Sequence, residues 1–313
     1  MMKAVIYNKR GVPDKLIYCD VEKPVPNDNE LLVKILAVSG NAADYRSIRM
    51  GLIPKQKIFG ADIAGKVESV GKNIRQFKPG DEVLGDLASY GFGGFAEYVV
   101  APEKAFVLKP AQISFEEAAS LPMAGLTAFQ ALHDKGNIQK VQKVLIVGSS
   151  GGVGTFAIQL SKYFGAEVTA VCSTKNIEQT ISLGADHVID YTKEHITKKH
   201  GDFDLILAVN GNYPLYTYRR VLNPGGICVM VGGTLSQIFK FMALGWLLSL
   251  GSRKFRFLAA KSNQKDLEFI AKLIADGKIK PVIERLYTLE KTAEAMKYLG
   301  EGHAQGKVVI KLG

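Results

Sequence analysis

The stretch 144–160 constrains the fold of this chain more than any other. It reads VLIVGSSGGVGTFAIQL, with four apolar residues typical of a buried strand, a glycine-rich turn over 148–154 and a helical pattern from Phe156. A second apolar stretch follows at 167–171. This order of strand, glycine turn, helix and second strand predicts the first βαβ unit of a dinucleotide-binding domain.

The glycines of the turn suit a phosphate ligand. They reach backbone angles that other residues avoid, and they carry no side chain to keep a pyrophosphate away. The helix beyond offers unpaired N–H groups and its positive dipole end. We therefore expect the pyrophosphate to be lined by Ser150, Gly151, Gly152, Val153 and Gly154. A tight turn without a ligand is the alternative, and it gives no reason for four glycines.

The end of the second strand selects the cofactor. Folds that prefer NAD place an Asp or Glu there, about 20 residues beyond the glycines. This chain has Cys172, Ser173, Thr174 and Lys175 instead. A carboxylate would repel a 2′-phosphate, whereas hydroxyl and ammonium groups bind one. We expect NADPH rather than NADH, with a solvated surface lysine as the alternative interpretation of Lys175.

Charge and length limit the class of protein. With 313 residues, 47% of them apolar, the chain is long enough for two domains with large cores. The formal net charge is +10, but the positive charge is scattered and no zinc-finger spacing, arginine-rich arm or aromatic RNA-binding signature is present. We expect a general attraction to anions and no nucleic-acid partner.

The cysteines indicate the compartment. Cys19, Cys172 and Cys228 lie far apart and show no paired spacing, which argues against a disulfide framework and fits a reducing cytoplasm. The first residues read as a strand rather than as a secretory signal.

The segment 241–250 is strongly apolar and is followed by Arg253, Lys254 and Arg256. It is too short to span a bilayer, which takes about 20 residues. A buried helix, a subunit interface, a wall of an apolar substrate pocket and a membrane-surface helix all remain open.

The remaining pattern predicts an α/β fold. The first hundred residues alternate in short β-like runs with Gly and Pro between them. Strands and helices then alternate as in a doubly wound parallel sheet, with strands expected at 143–147, 167–171, 187–189, 204–208 and 226–231. From Ser114 the pattern becomes helical, with Glu117 at capping-box spacing. Further helices are expected at 264–276 and 289–300, and a closing strand at 307–311.

Seven motifs in order carry a resemblance to a known family. They are GADIAGKV at 60–67, FKPGDEV at 77–83, GGFAEYV at 93–99, LPMAGLTA at 121–128, GSSGGVG at 148–154, LGADHVIDY at 183–191 and GHAQGKVVI at 302–310. Over essentially its whole length the chain resembles the medium-chain dehydrogenase/reductase superfamily, in the zinc-free quinone oxidoreductase branch. The resemblance implies a GroES-like catalytic domain (1–121 and 260–313), a Rossmann NADP-binding domain (122–259), an active site in the cleft and a homodimer.

The resemblance also bears on zinc. Zinc-dependent relatives carry Gly-His-Glu where this chain has Gly60-Ala61-Asp62, and their first catalytic cysteine corresponds to Asn41. A zinc site needs three or four Cys, His or carboxylate ligands. No four-cysteine lobe appears between 85 and 98, and the histidines at 133, 187, 195, 200 and 303 lack ligand spacing. We expect no metal.

Without zinc the chemistry changes. Zinc in alcohol dehydrogenases acts as a Lewis acid on the alkoxide. Quinones and α,β-unsaturated carbonyl compounds need less help, because conjugation spreads the charge that arrives with the hydride. We expect hydride transfer from NADPH to a quinone or to the β-carbon of an enone, followed by protonation.

Further roles follow from the resemblance. Tyr191 would join Ser173 and Lys175 at the adenosine 2′-phosphate, or is an exposed aromatic at a strand end. Thr127 would lie near the nicotinamide, or is a plain helix residue. Val231 and Gly232 would meet the carboxamide through their backbone groups.

On the substrate side, Asn41 would orient the carbonyl and Tyr45 would donate a proton or hydrogen bond to it. Alternatively, Asp44 caps a helix, Tyr45 packs between domains and water supplies the proton. For Asp62 a structural hydrogen-bonding role is expected.

Two other functions stay open. One is a metal-free NADP-dependent alcohol or carbonyl dehydrogenase. The other is an NADPH-binding regulatory or membrane-associated protein with vestigial catalysis, which segment 241–250 and the basic charge motivate.

Overall fold

The computed structural model describes residues 1–7, 16–52, 54, 57–198, 203–211, 213–233 and 235–312. The strands are β1 Met2–Tyr7, β2 Leu16–Val21, β3 Glu30–Gly40, β4 Asp62–Val70, β5 Glu82–Asp86, β6 Tyr98–Pro102, β7 Phe106–Leu108, β8 Lys143–Val147, β9 Glu167–Cys172, β10 His187–Asp190, β11 Phe203–Val209, β12 Leu222–Val231, β13 Lys254–Leu258, β14 Ile283–Thr288 and β15 Lys307–Lys311. The helices are α1 Ala42–Arg49, α2 Phe115–Ser120, α3 Pro122–Gln130, α4 Gly152–Tyr163, α5 Ile177–Ser182, α6 Leu215–Val221, α7 Leu235–Leu248, α8 Gln264–Ala275 and α9 Thr292–Gly300. His200 lies outside the described residues.

The chain divides into two compact units. The first comprises residues 1–126, 261–277 and 281–313, and the second comprises residues 127–260 and 278–280. The first unit is rich in antiparallel sheet and the second is built on a parallel sheet. The predicted α/β class, with a GroES-like sheet domain and a Rossmann-like domain, is confirmed.

The second unit contains a six-stranded parallel sheet in the order β10-β9-β8-β11-β12-β13. Numbered from β8, this is 3-2-1-4-5-6, the strand order of dinucleotide-binding domains. Central strands such as β8 and β11 are apolar almost throughout, because helices cover both faces of a parallel sheet.

The sequence predicts five of these strands and misses β13. That strand follows directly on a long apolar stretch, and its alternating residues KFRFL carry only a short period-2 signal. β13 pairs in parallel with β12 and extends the sheet at its edge.

The first unit is organised around a seven-stranded sheet. Its order is β14-β15-β3-β4-β5-β7, with β6 paired to β3. The closing strand predicted at 307–311 is β15, and it lies between β14 and β3 with Val308 opposite Gly40. This pairing brings the C-terminal strand beside the start of α1.

The helix boundaries largely follow local signals. Ser114 caps α2, because the Glu117 N–H donates to Ser114 Oγ over 3.1 Å and the Ser114 N–H donates to the Glu117 carboxylate over 2.9 Å. The predicted helix from 289 begins as a 3-10 turn and becomes α9 only at Thr292. α4 begins at Gly152, four residues before the expected start at Phe156, because its first turn is built from the glycine-rich segment.

Candidate functional site

The glycine turn after β8 is shaped partly by the fold itself. Gly148 has φ 77°, and a Cβ there would lie 2.3 Å from the carbonyl oxygen of Val209. A Cβ on Gly154 would lie 2.3 Å from the carbonyl oxygen of Gly148. Close packing therefore requires glycine at these two positions, which corrects the expectation that a turn without a ligand gives no reason for them.

Gly151 is different. A Cβ there would come no closer than 3.9 Å to Gly148 O, so the protein's own packing leaves room for a side chain. Gly151 is the N-cap of α4 and supplies no capping side chain, and the first turn of α4 holds no acidic residue. The N–H groups of that turn and the dipole end thus face an uncrowded approach, which fits the pyrophosphate of a dinucleotide.

The residues predicted to bind the pyrophosphate and the carboxamide lie together at the carboxyl ends of the strands of the parallel sheet. The turn 148–151 follows β8, and β11 and β12 end beside it, with the Asn210 N–H donating to Val231 O over 3.0 Å. Gly232, directly after β12, has φ 65°. The strand order reverses between β8 and β11, and ligands of open α/β sheets bind at the carboxyl ends of strands at this reversal.

The predicted 2′-phosphate residues also come together. β9 ends at Cys172, whose carbonyl accepts a 3.1 Å hydrogen bond from the Tyr191 N–H at the end of β10. Ser173 is half-buried, while Lys175 lies exposed in the short turn that follows β9. The side chain of Tyr191 is 55% exposed. The 2′-phosphate roles of Ser173, Lys175 and Tyr191 stay predictions. Thr127 is buried in α3, and its role near the nicotinamide also stays a prediction.

Asp190, the last residue of β10, also lies at the carboxyl ends of the strands, and the sequence analysis did not predict a role for it. Its carboxylate accepts hydrogen bonds from the hydroxyl of Thr174 and from the hydroxyl and N–H of Thr192, the latter two at 2.7 and 3.0 Å. These bonds, that of Thr174 first, hold the pKa of Asp190 below its usual value. Since Thr174 commits its proton to Asp190, Ser173 and Lys175 are left as donors for a phosphate.

The first unit contains a buried polar cluster, made up of Ser39, Asn41, Asp62 and Lys307. Lys307 Nζ lies 2.6 Å from Asn41 Oδ1 and 3.3 Å from Asp62 Oδ2. Asp62 Oδ2 also accepts from Asn41 Nδ2 at 3.0 Å and from Ser39 Oγ at 3.1 Å. Asp62 Oδ1 accepts from the Met123 N–H at 3.0 Å. The structural hydrogen-bonding role expected of Asp62 is confirmed by these contacts.

Two further buried carboxyls adjoin the cluster. Burial, followed by the charge of Asp62, raises the pKa of Asp44 to about 7 and that of Asp86 to about 6. Asp44 Oδ2 accepts the Asn41 N–H over 2.9 Å and so caps α1. Asp44 Oδ1 is buried and has no hydrogen-bond partner of standard geometry within the described part of the chain. The ion pair of the cluster is therefore adjoined by two carboxyls, Asp44 and Asp86, that hold their protons more tightly than usual.

Tyr45 lies apart from these bonds. Its ring packs on α9, where a Cβ on Gly300 would lie 2.2 Å from Tyr45 Cζ. Its hydroxyl accepts a 3.4 Å hydrogen bond from Arg49. A hydroxyl that accepts a hydrogen bond keeps its own proton for donation. Tyr45 can therefore still act as the predicted proton donor.

The polar cluster does not fit a catalytic zinc ion. Asn41 offers an amide, Ala61 offers no ligand atom, and the Asp62 carboxylate is bonded to the ammonium of Lys307. Zinc sites use thiolate, imidazole or carboxylate ligands in a tetrahedral array, and a buried ammonium would repel the metal. Among the residues that the structure describes, no group of three or more His, Cys, Asp or Glu side chains could hold a metal.

Comparison with known proteins covers nearly the whole chain. Residues 27–111 match the family described as alcohol dehydrogenase GroES-like domain, and residues 183–310 match the family described as zinc-binding dehydrogenase. The chain is 33% identical to the chloroplast envelope quinone oxidoreductase homolog of Arabidopsis thaliana, over 99% of this chain and 98% of that one.

Two further similarities are informative. The chain is 32% identical to the chloroplastic NADPH-dependent alkenal/one oxidoreductase of Arabidopsis thaliana, over 99% of this chain and 79% of that one. The solved quinone oxidoreductase from Coxiella burnetii superimposes with a TM-score of 0.91 at 29% identity, covering 100% of this chain and 99% of that one.

Proposed function

The chain belongs to the medium-chain dehydrogenase/reductase superfamily, in its quinone oxidoreductase-like branch, and from this membership we propose that it reduces quinones or α,β-unsaturated carbonyl compounds with NADPH and without a metal ion. Its Rossmann domain binds a nicotinamide cofactor, and the similarity to quinone and enone reductases supports an oxidoreductase of such substrates. The finer assignments of cofactor, substrate and residues are part of the proposal.

One observation carries the proposal. The N-terminus of α4 is free of side-chain caps and acidic residues and lies at the strand-order reversal of a 3-2-1-4-5-6 sheet. Glycine at 151 is not required by internal packing, so a phosphate ligand explains it best. In this proposal the backbone of Ser150–Val153 holds the pyrophosphate, Val231 and Gly232 meet the carboxamide, and Thr127 lies near the nicotinamide.

Preference for NADPH is proposed for a charge reason. Lys175 is exposed at the end of β9, close in sequence to Ser173, and Tyr191 ends the neighbouring strand. An ammonium and a hydroxyl bind a 2′-phosphate, and the carboxylate of Asp190 at the end of β10 is already bonded to two threonine hydroxyls. A relative named as an NADPH-dependent alkenal/one oxidoreductase supports this assignment.

A bound NADPH supplies the hydride that reduces the substrate. We propose that Asn41 orients the substrate carbonyl. Its amide nitrogen carries a second N–H beyond the one bonded to Asp62, and Lys307 holds its Oδ1, so the side chain is fixed in one orientation. Tyr45 is the proposed proton donor, with water as the alternative source.

The test is NADPH oxidation by the purified, metal-stripped protein against quinones and enones, with NADH alongside. Turnover with NADPH and a clear loss with NADH support the proposal. Turnover that appears only after zinc is restored overturns the metal-free chemistry. Alcohol-dependent reduction of NADP in place of enone reduction favours a metal-free alcohol dehydrogenase. Tight NADPH binding with no turnover favours a regulatory role.

Location and assembly are part of the same proposal. Cys19, Cys172 and Cys228 are free thiols, as a reducing cytoplasm requires. Both of the Arabidopsis thaliana relatives carry a chloroplast location in their names, so cell fractionation should include plastids where the source organism has them. The homodimer implied by the family is tested by sedimentation velocity.

A further inference from the structure

Helix α7 is apolar on two opposite sides. Its inner side packs on the parallel sheet: Phe241 is 2% exposed, and its ring centroid lies 6.0 Å from that of Phe255 in β13. A Cβ on Gly245, one turn further along, would lie 3.6 Å from Phe255. Leu248 packs against the buried apolar cluster to which Phe241 and Phe255 belong. Phe241, Gly245 and Leu248 follow the spacing of one helix face.

The outer side of α7 is apolar and exposed. Phe239 is 75% exposed, Trp246 is 64% exposed and Leu250, just beyond the helix, is 70% exposed. At about 100° per residue these positions, together with the exposed Ala243, project from the side opposite Phe241. We call Phe239, Ala243, Trp246 and Leu250 the outer stripe. A helix that is apolar all round is normally covered on both sides, so the outer stripe marks an interaction surface.

The part of the sequence that contains this helix carries charges of one sign. The sequence from Leu205 to Lys265 contains no Asp or Glu. Its eight basic residues are Arg219, Arg220, Lys240, Arg253, Lys254, Arg256, Lys261 and Lys265. These basic residues are no denser than in the rest of the chain, but no carboxylate of the segment offsets them. The segment therefore carries eight of the ten formal net positive charges.

Two of these basic residues lie at the ends of the outer stripe. Lys240 is exposed beside Phe239 in the chain. Lys254 is also exposed, with its Nζ 3.5 Å from the carbonyl oxygen of Ser249 at the end of α7. An apolar stripe with exposed cations at both ends is complementary to a lipid layer whose interior is apolar and whose headgroups are anionic.

We propose that α7 docks the protein on an anionic lipid bilayer, with the outer stripe in the headgroup region and the basic residues on acidic headgroups. At about 1.5 Å per residue the helix lies along the surface and is too short to cross. No helix among the described residues has the length and hydropathy of a membrane span. A second copy on the same stripe is disfavoured, because a two-fold contact would bring Lys240 and Lys254 of both copies together.

Trp246 provides the readout, because it is the single tryptophan of the chain. Its fluorescence is recorded as the full-length protein is titrated with phosphatidylcholine vesicles, with and without phosphatidylglycerol. We expect a shift to shorter wavelength, and co-sedimentation, with the anionic vesicles only. Binding should weaken as salt is raised. No shift with any vesicle overturns the proposal.

Variants identify the surface. F239S/L250S keeps the tryptophan and should lower the partition coefficient roughly tenfold or more, since apolar burial is lost. K240Q/K254Q should lower it by on the order of tenfold. The matched control I181S/L286S changes two other apolar residues of 55% and 59% exposure and should bind normally.

Two results would contradict the assignment even if vesicles bind. Unchanged binding by F239S/L250S places the contact elsewhere on the protein. A blue shift that appears without lipid as protein concentration rises, with an increase in sedimenting mass, assigns the stripe to self-association. Circular dichroism of each variant shows that loss of binding is not loss of folding.

Discussion

The ammonium group of Lys307 lies 2.6 Å from Oδ1 of Asn41, although the two residues are 266 positions apart in the sequence. The contact exists because β15 pairs with β3, which leads directly into Asn41 and α1. Lys307 is 3% exposed and also pairs with Asp62, which is fully buried. The C-terminal strand thus supplies the cation of a polar cluster whose other members come from the first 62 residues.

Replacing this lysine should destabilise the first unit. K307M leaves the Asp62 charge buried without its cation, which costs about 3–5 kcal/mol in the free energy of unfolding. K311M is the matched control, because Lys311 on the same strand is exposed and pairs with the half-buried Glu116 at 2.9 Å, so it should contribute less than about 1 kcal/mol. Urea unfolding measures both.

A double variant tests the cause. In K307M/D62N the buried negative charge is also removed, so part of the stability lost in K307M should return. If K307M/D62N is no more stable than K307M, packing by the lysine stem and not the ion pair is the source of the loss.

Asp44 should make stability depend on pH in an unusual direction. Its folded pKa is about 7, well above the usual aspartate value of 3.8, so the folded state binds the proton more tightly than the unfolded chain. Its contribution is fully present below about pH 4 and is lost as pH rises through about 7. Asp86, with a pKa of about 6, acts in the same direction.

The comparison of wild type with D44N isolates this effect. The asparagine can still accept the Asn41 N–H, so α1 keeps its cap. We expect D44N to gain stability relative to wild type, by on the order of a few kcal/mol, as pH rises from about 4 to about 8. A stability difference that does not change with pH would show that Asp44 titrates normally in the folded protein.

Local patterns predicted the elements that position the site. The glycine turn, the strands β8 and β9 and the Ser114 cap follow from spacing within a few residues, and they appear where expected. The partnership of Lys307 with Asn41 depends on strand pairing across the chain, which no local pattern encodes. The Asp190–Thr174 bond was missed for the same reason, since Asp190 ends β10 and Thr174 lies in the turn after the neighbouring strand β9.

Gly151 should be required for cofactor binding and not for folding. A Cβ there meets no protein atom closer than 3.9 Å, so G151A should fold normally. In our proposal the methyl group meets the pyrophosphate and weakens NADPH binding roughly tenfold or more, as loss of about 1.4 kcal/mol implies. G251A is the control, because a Cβ on Gly251 would likewise meet no crowding, with no protein atom within 4 Å.

Isothermal titration with NADPH and thermal unfolding separate the two effects. Equal affinities of G151A, G251A and wild type would mean that the cofactor does not approach the N-terminus of α4.

Tyr45 should affect the rate of chemistry if it donates the proton. Y45F retains the ring that packs on Gly300 and removes only the hydroxyl. A general acid contributes about 10²–10⁴-fold, so kcat with an enone should fall by that range while KM for NADPH is unchanged. A kcat equal to that of wild type would assign proton delivery to water.

Lys175 should distinguish NADPH from NADH. It is exposed, so K175Q should not change stability. A hydrogen bond from a charged donor to the 2′-phosphate contributes about 1.5–3 kcal/mol, so kcat/KM for NADPH should fall by roughly ten- to a hundredfold while kcat/KM for NADH stays the same. K140Q, at another exposed lysine of the second unit, controls for the loss of general positive charge. Equal losses with both cofactors, or in both variants, would show that Lys175 makes no specific contact with the 2′-phosphate.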